Sequence, residues 1–304
     1  VNETLAGIRN QLTDRLSRCL SPQEASSQAH LLMEHFLEAG RMEVARTPQK
    51  PVPDIGVSHV MQAADRICAG EPVQYVTGTA WFLDHKFAVS PAVLIPRGET
   101  EELVLFALER LAAYPSTSRL KILDIGTGSG CIAISLALGL DEKKIPHHIT
   151  ALDLSEEALA VAKENAQSLQ ADIHFLQENI LSAQPTTFSG FDLIVSNPPY
   201  IPPSEKESLA VHVRDHEPHL ALFTPEEDPL LFYRKISGCL NAWLKPGGLL
   251  MFEVHADYGR AALELLAGPE TLRAGLRKDI HGRDRVLWAE RSAIASDDGS
   301  HILP

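Results

Sequence analysis

The stretch "LKILDIGTGSGCIAISLA", residues 120–137, places Gly126, Gly128 and Gly130 between an apolar run of strand length and an apolar helical segment. A strand, a tight turn and a helix are expected in that order, because residues without a Cβ allow a sharp turn and let a ligand approach the main chain. Outward from it, "HITALDL", a helix from Ser155, "IHFLQ" and "FDLIVS" continue the alternation. This pattern predicts an α/β fold, a Rossmann-like, mostly parallel sheet covered by helices, with ligands at the carboxyl edge of the strands.

The details of the turn narrow the ligand. A dinucleotide fingerprint wants Gly or Ala where Cys131 stands, and the Gly-Lys-Ser/Thr of a phosphate-binding loop is absent. Asp124, at the end of the strand, sits badly beside a pyrophosphate and suits a cofactor with an ammonium and a sulfonium, which S-adenosylmethionine has. Asp153 ends the second strand, where an acid can accept hydrogen bonds from ribose hydroxyls; the alternative is that it begins the cap of the next helix, a job Ser155 can do. In "QENI", residues 177–180, Asn179 could meet the adenine amine and Ile180 could pack on its face.

After the fourth strand comes "SNPPYIP", residues 196–202. Pro198 and Pro199 stiffen the turn, so that Asn197 and the Pro198 carbonyl are presented as two hydrogen-bond acceptors, with Tyr200 as an aromatic surface beside them. A planar NH2 group, on an amide or on a nucleobase, has the two donors such a pair takes.

The chain is long enough, at 304 residues, for a large domain and a smaller one. Residues 1–70 read as a helical domain that includes a capped helix beginning at Ser21, Pro22 and Glu24 and ending at Gly40. Residues 71–100 read as a β-hairpin linker around "LDHK", residues 101–292 as the catalytic domain, and 293–304 as a flexible tail. Trp81, Phe82 and Phe87 are expected to pack the hairpin. With 44% hydrophobic and 22% charged residues the composition is that of a globular protein. No stretch approaches the roughly 18 apolar residues of a membrane span, and the polar start lacks the layout of a secretory signal, so a soluble, cytoplasmic protein is expected. The four cysteines lie far apart without a C-x-x-C pair, which suggests buried thiols rather than a disulfide framework. A net charge of -13 disfavours sequence-independent binding to nucleic acid.

Taken together, "EPVQYVTG", "VSPAVLIPRGETEELV", "LDIGTGSGCIAISLA", "SNPPYIP", "VRDHEPHLAL", "FYRKI", "LKPGG" and "KDIHGRDRV" resemble the S-adenosylmethionine-dependent protein glutamine methyltransferases that modify peptide chain release factors. The resemblance covers nearly the whole chain. It implies a class I methyltransferase domain behind a small helical bundle, S-adenosylmethionine as cofactor and S-adenosylhomocysteine as product. The implied substrate is the glutamine of the Gly-Gly-Gln loop of class I release factors, whose modification tunes translation termination. By the same resemblance Asp124, Ile125, Gly126, Thr127 and Gly128 line the methionine and sulfonium part of the cofactor, Asp153 holds the ribose, Ile180 stacks near adenine, and Asn197 to Tyr200 clasp the substrate glutamine, with Asn197 close to both cofactor and substrate. The sequence departs from the family pattern at Gly98, Asn179, "FTPEEDPL" and "EVHADYG".

Two other readings stand beside it. A DNA adenine methyltransferase makes the same demands on Asn-Pro-Pro-Tyr, but the chain shows no basic, target-reading domain, and direct DNA binding is not expected. A methyltransferase fold could also serve as a non-catalytic binding protein. Arg97 and Thr100 could approach the cofactor's methionine end, or Arg97 could pair with Glu99 or Glu101. His212, His216 and His219 tempt a metal reading, which Pro218 and the absence of zinc-motif spacing disfavour.

Overall fold

The computed structural model describes residues 3–114, 118–267 and 271–292. The expected tail at 293–304 lies outside them. The chain divides into two units, one of Val1–Thr79 with Ala210–His216 and one of Ala80–Leu209 with Glu217–Pro304.

The first unit holds five helices from the amino-terminal part of the chain, α1 (Leu5–Leu16), α2 (Pro22–Leu37), α3 (Arg41–Arg46), α4 (Asp54–Cys68) and α5 (Val73–Thr77), and the later helix Val211–His216. Helical spacing of apolar residues builds its core: Leu5, Ile8, Leu12 and Leu16 of α1 meet Ala29, Leu32 and Met33 of α2 and Val60, Ala64 and Ile67 of α4. The capping box of α2 forms, with the Ser21 hydroxyl accepting from Glu24 N–H and the Ser21 N–H donating to the Glu24 carboxylate at 3.1 Å. The helix stops before Gly40, however. Glu38 takes the left-handed conformation (φ 52), Ala39 N–H bonds Met33 O at 3.2 Å and is buried, and Gly40 becomes the N-cap of the unforeseen α3.

The cysteines also differ from expectation. Cys131 and Cys239 are free and buried, but Cys19 and Cys68 form a disulfide with their Cα atoms 5.4 Å apart. Residues separated by 49 positions meet because α1 and α4 pack side by side, tied also by the Arg15–Asp65 ion pair. Spacing along the chain does not show such a meeting.

The second unit begins with a hairpin, β1 (Thr79–Phe82) and β2 (His85–Ala88), whose two turn residues Leu83 and Asp84 both have positive φ (45 and 62), as a right-twisted two-residue turn requires. Phe82 and Phe87 pack edge to face in the core, whereas Trp81 is 66% exposed and does not take part in the packing expected of it. The rest runs α6 (Gly98–Ala112), β3 (Leu120–Ile125), α7 (Cys131–Glu142), β4 (His147–Asp153), α8 (Glu156–Ser168), β5 (Ile173–Gln177) and β6 (Phe191–Ser196). Then follow α9, the Val211–His216 helix already placed, α10 (His219–Leu222), α11 (Leu231–Ser237), α12 (Leu240–Trp243), β7 (Leu244–Glu253), α13 (Gly259–Glu264), β8 (Thr271–Lys278) and β9 (Asp284–Arg291).

Seven strands form one sheet in the order β5-β4-β3-β6-β7-β9-β8, with β9 antiparallel to both its neighbours and β3 to β7 parallel. The period of two sorts the central strands onto two cores. Ile122, Leu193, Val195 and Met251 face α6 and α7; Leu123, Ile125, Ile194, Leu250 and Phe252 face Tyr233, Ile236 and Trp243 of α11 and α12. Both faces are covered, which is why "LKILDI" and "FDLIVS" are apolar almost throughout; each fully buried side chain of this size contributes about 1.5–3 kcal/mol.

The last third is more broken up than its apolar runs suggest. Helical structure over 231–243 is interrupted at Gly238 and Cys239, giving α11 and α12. "KPGG" is no separate turn but part of β7, which absorbs Gly247 (φ 78) in a register shift against β6. The edge strand β8 is masked in the sequence by its charges and by Gly275, over which the Trp288 indole lies so closely that a Cβ would stand 3.1 Å from it.

Candidate active site

The carboxyl ends of β3, β4, β5 and β6 open onto one cavity of about 710 Å³. The turn after β3 forms its floor. Gly126 (φ 73) and Gly128 (φ 53) bring their backbone to the cavity, and a Cβ on either would meet nothing within 4 Å, so the space beside the turn is left for a ligand. Gly130 (φ 82) serves a different purpose. A Cβ there would come within 2.9 Å of Ile134 Cδ1 and 3.2 Å of Ala162 Cβ, so this glycine lets α7 and α8 approach each other. Gly130→Ala is therefore expected to cost about 2–4 kcal/mol from left-handed strain and overpacking, while Gly128→Ala costs about 1–2 kcal/mol and acts mainly on ligand affinity. Thermal unfolding with and without S-adenosylmethionine separates the two; equal losses of stability would contradict this division.

Asp153 lines the cavity and is held by two backbone donors, Gly128 N–H to Oδ2 at 2.9 Å and Ser155 N–H to Oδ1 at 3.0 Å. Ser155, not Asp153, caps α8, its hydroxyl accepting from Ala158 N–H at 3.1 Å. The carboxylate thus links the ends of two strands and keeps lone pairs for a ligand. Asn179 and Ile180 also line the cavity. Asn179 Oδ1 accepts from Leu181 N–H at 3.0 Å, which orients its amide, and Ile180 is largely buried.

Asp124 stands back from the cavity wall formed by Ile125, Gly126, Thr127 and Gly128. It is fully buried, its Oδ2 accepting the Thr127 hydroxyl at 2.6 Å, and its Oδ1 has no hydrogen-bond partner among the described residues. Burial pushes its carboxyl up to about 7, against the opposing effect of Thr127. Glu253, at the end of β7, is pushed to about 7 for the same reason. Unfolded, both would ionise near the ordinary carboxylate range. Their contribution to stability is whole below that range and is lost as pH rises toward 7, because the folded chain holds the protons longer. The ligand-free protein is expected to lose melting temperature between about pH 5 and 7.5, and Asp124→Asn to lose less; equal slopes in the two proteins would contradict the assignment.

Asn197, Pro198 and Pro199 reach the cavity from the end of β6, where the Ser196 hydroxyl is anchored on the Ile125 carbonyl at 2.7 Å. Tyr200 lies just outside the lining, packed against the second core and tilted on His255 with ring centroids 5.7 Å apart. Burial holds its phenol well above the ordinary value, so it stays protonated. His255 in turn neighbours Tyr258, which makes an aromatic row after β7 that the sequence reading did not single out.

Thr100 lines the cavity at the start of α6. Arg97 lines it too, but pairs with neither Glu99 nor Glu101. It reaches the fully buried carboxylate of Glu217 at 2.5 Å, which also accepts Ile95 N–H at 3.3 Å, while Glu101 is taken by Leu83 N–H at 2.9 Å. The correction is one of distance along the chain, since Arg97 finds its partner 120 residues away. Two further residues escaped the sequence reading. Asn165 of α8 binds Ala88 N–H at 2.6 Å and the Ala88 and Ser129 carbonyls at 3.0 and 2.9 Å, joining hairpin and glycine turn. Glu253 is the other; it stands beside the end of β6 and accepts the Thr100 hydroxyl at 2.6 Å. The signal for Glu253 was an acid at the end of a strand, as for Asp124 and Asp153. Among the described residues no group of three His, Cys, Asp or Glu side chains is disposed to hold a metal ion, and no helix is long and apolar enough to cross a membrane.

This sheet order, with a glycine turn and an acid at the ends of its first two strands, defines a class I S-adenosylmethionine-dependent methyltransferase domain. A methyltransferase domain family matches residues 116–274, and the PrmC N-terminal domain family matches residues 8–78. A release factor glutamine methyltransferase of Flavobacterium psychrophilum is 38% identical across 93% of this chain and 98% of its own, and one of Bacteroides thetaiotaomicron is 44% identical across 74% and 78%. A solved release-factor-specific protein-(glutamine-N5) methyltransferase from Alicyclobacillus acidocaldarius is 29% identical, with a TM-score of 0.41 over 68% of this chain and 99% of that one. The chain belongs to the release factor glutamine methyltransferase family.

Proposed function

We propose that this protein transfers a methyl group from S-adenosylmethionine to the side-chain amide nitrogen of the glutamine in the Gly-Gly-Gln loop of class I peptide chain release factors. The observation that supports it most is the placement of Asn197 and Pro198 on the same cavity as the glycine turn and Asp153. These residues fit the cofactor: backbone left bare at Gly126 and Gly128 for its methionine end, a carboxylate at Asp153 for ribose hydroxyls, and Asn179 with Ile180 for the adenine. When bound, the cofactor supplies an electrophilic methyl group.

The residues of the chain supply position. An amide nitrogen is a poor nucleophile because its lone pair is delocalised into the carbonyl. Asn197 Oδ1 and the Pro198 carbonyl accept its two N–H bonds, which favours electron density on nitrogen and fixes its direction of approach. Tyr200, neutral and rigidly packed, gives the amide plane a surface beside the cavity. No strong base is needed, since the nitrogen sheds its proton after it has been alkylated. The helical unit grips the protein substrate away from the reacting glutamine, one side chain being too small a surface for selectivity. Such a reaction belongs in the cytoplasm, where release factors work.

Incubation with labelled S-adenosylmethionine and either a class I release factor or adenine-containing DNA tests the proposal. Label is expected in the factor. Label in DNA alone would overturn it in favour of an adenine methyltransferase, and cofactor binding without transfer would leave a binding protein.

A further inference from the structure

Asn197 can serve an amide substrate only if it presents oxygen to it. Its side chain has a donor end and an acceptor end of nearly equal size, and a half-turn about the last bond would aim an NH2 group at the substrate's own NH2. Something must fix the choice. In the structure Asn197 Nδ2 donates to Thr100 Oγ1 at 3.3 Å, and Thr100 Oγ1 donates to Glu253 Oε2 at 2.6 Å. Thr100 is 3% exposed and Glu253 2%, so water competes little for the bond between them, while Asn197 reaches out to the cavity. A hydroxyl has one proton. Given to Glu253, it leaves Thr100 only lone pairs for Asn197, and only the Nδ2 end can meet a lone pair. The Glu253 backbone is itself pinned, its carbonyl accepting the buried Tyr233 hydroxyl at 3.0 Å.

We propose that Glu253 and Thr100 are positioning residues which, through this one-way chain of hydrogen bonds, hold Asn197 with its oxygen toward the substrate amide. The inference rests on the function proposed above and adds to it the device that makes Asn197 an acceptor. It works only while Glu253 is ionised. A protonated Glu253 can donate to Thr100, whose own proton then turns toward Asn197 and draws its oxygen inward, which reverses the amide. The groups facing Glu253 bear on that proton in both directions: Arg285 of β9 and Arg97 before α6 favour the ionised form, while Glu99 of α6 and burial oppose it. The neighbouring Tyr200, Tyr233 and Cys131 are held protonated by their own burial and lie within its field.

The test compares the full-length protein with Thr100→Val, Thr100→Ser and Glu253→Gln. Valine keeps the shape and removes the relay, so kcat is expected to fall at least about tenfold while the cofactor Kd stays within about threefold, and serine is expected to restore kcat to within about threefold of the original. The original enzyme should lose kcat on the acid side with the slope of one proton, and Glu253→Gln should remove that limb. A Thr100→Val enzyme within twofold of the original, a serine variant as impaired as the valine one, or an acid limb unchanged in Glu253→Gln would overturn the proposal. Hydrogen exchange of the Asn197 side-chain amide, followed by NMR without substrate, is expected to quicken in Thr100→Val, and unchanged exchange would also overturn it. That measurement stands apart from turnover, so a failure of the relay and a failure to methylate glutamine are told apart.

Discussion

Asn197→Ala is expected to lower kcat by about 10²–10³-fold while the protein still folds and binds S-adenosylmethionine within about fivefold of the original affinity. The size follows from what the side chain does. In the proposed reaction it is one of two acceptors that orient the substrate nitrogen, and an aimed dipole there is lost with the side chain. Among the described residues its side chain holds one long bond, to Thr100 at 3.3 Å, so truncation leaves the turn in place on Pro198, Pro199 and the Ser196 anchor. Steady-state kinetics at saturating cofactor, with a separate binding titration, checks both halves. A variant that keeps kcat within threefold would remove Asn197 from the chemistry.

Asp153→Ala is expected to raise the cofactor Kd by about 10–100-fold, with kcat at saturating cofactor changed far less. The loss has two parts. The hydrogen bonds proposed from the ribose hydroxyls to the carboxylate would be absent, and the N–H groups of Gly128 and Ser155, now bound at 2.9 and 3.0 Å, lose their acceptor. The glycine turn then closes less firmly on the ligand. Calorimetric titration checks the prediction; an affinity within threefold of the original would return Asp153 to a purely local role at the end of β4.

The features legible in the sequence are those that depend on near neighbours. The glycine turn, the acid ending each of the first two strands and the stiff Asn-Pro-Pro turn are each compressed into a few residues, and the sheet's alternation writes itself as apolar runs between helical segments. The features that escaped depend on where distant segments meet. Glu217 comes to Arg97, Cys68 to Cys19 and Glu253 to Thr100 only after the chain has folded, across 120, 49 and 153 residues. The helix end at Glu38 was missed for another reason: a left-handed residue without glycine is uncommon, and here the burial of Ala39 settles it. Strand β8 was missed because an antiparallel edge can be charged and still pair.

The same division explains why Thr100 was placed near the cofactor while its link to Asn197 was not foreseen. Its position in the first turn of α6 could be read locally, whereas its two hydrogen bonds join α6 to the ends of β6 and β7. A cavity wall is legible from strand ends, but the atoms that fix one side chain's direction are not.

The measurement that bears most directly on the account is the position of the methyl group. A class I release factor is methylated with the purified protein, digested and sequenced by mass spectrometry, alongside an identical reaction with Asn197→Ala. The account predicts a single methyl group on the side-chain nitrogen of the Gly-Gly-Gln glutamine, lost in the variant. Methylation at another residue of the factor, or at the glutamine with equal yield from Asn197→Ala, would contradict it.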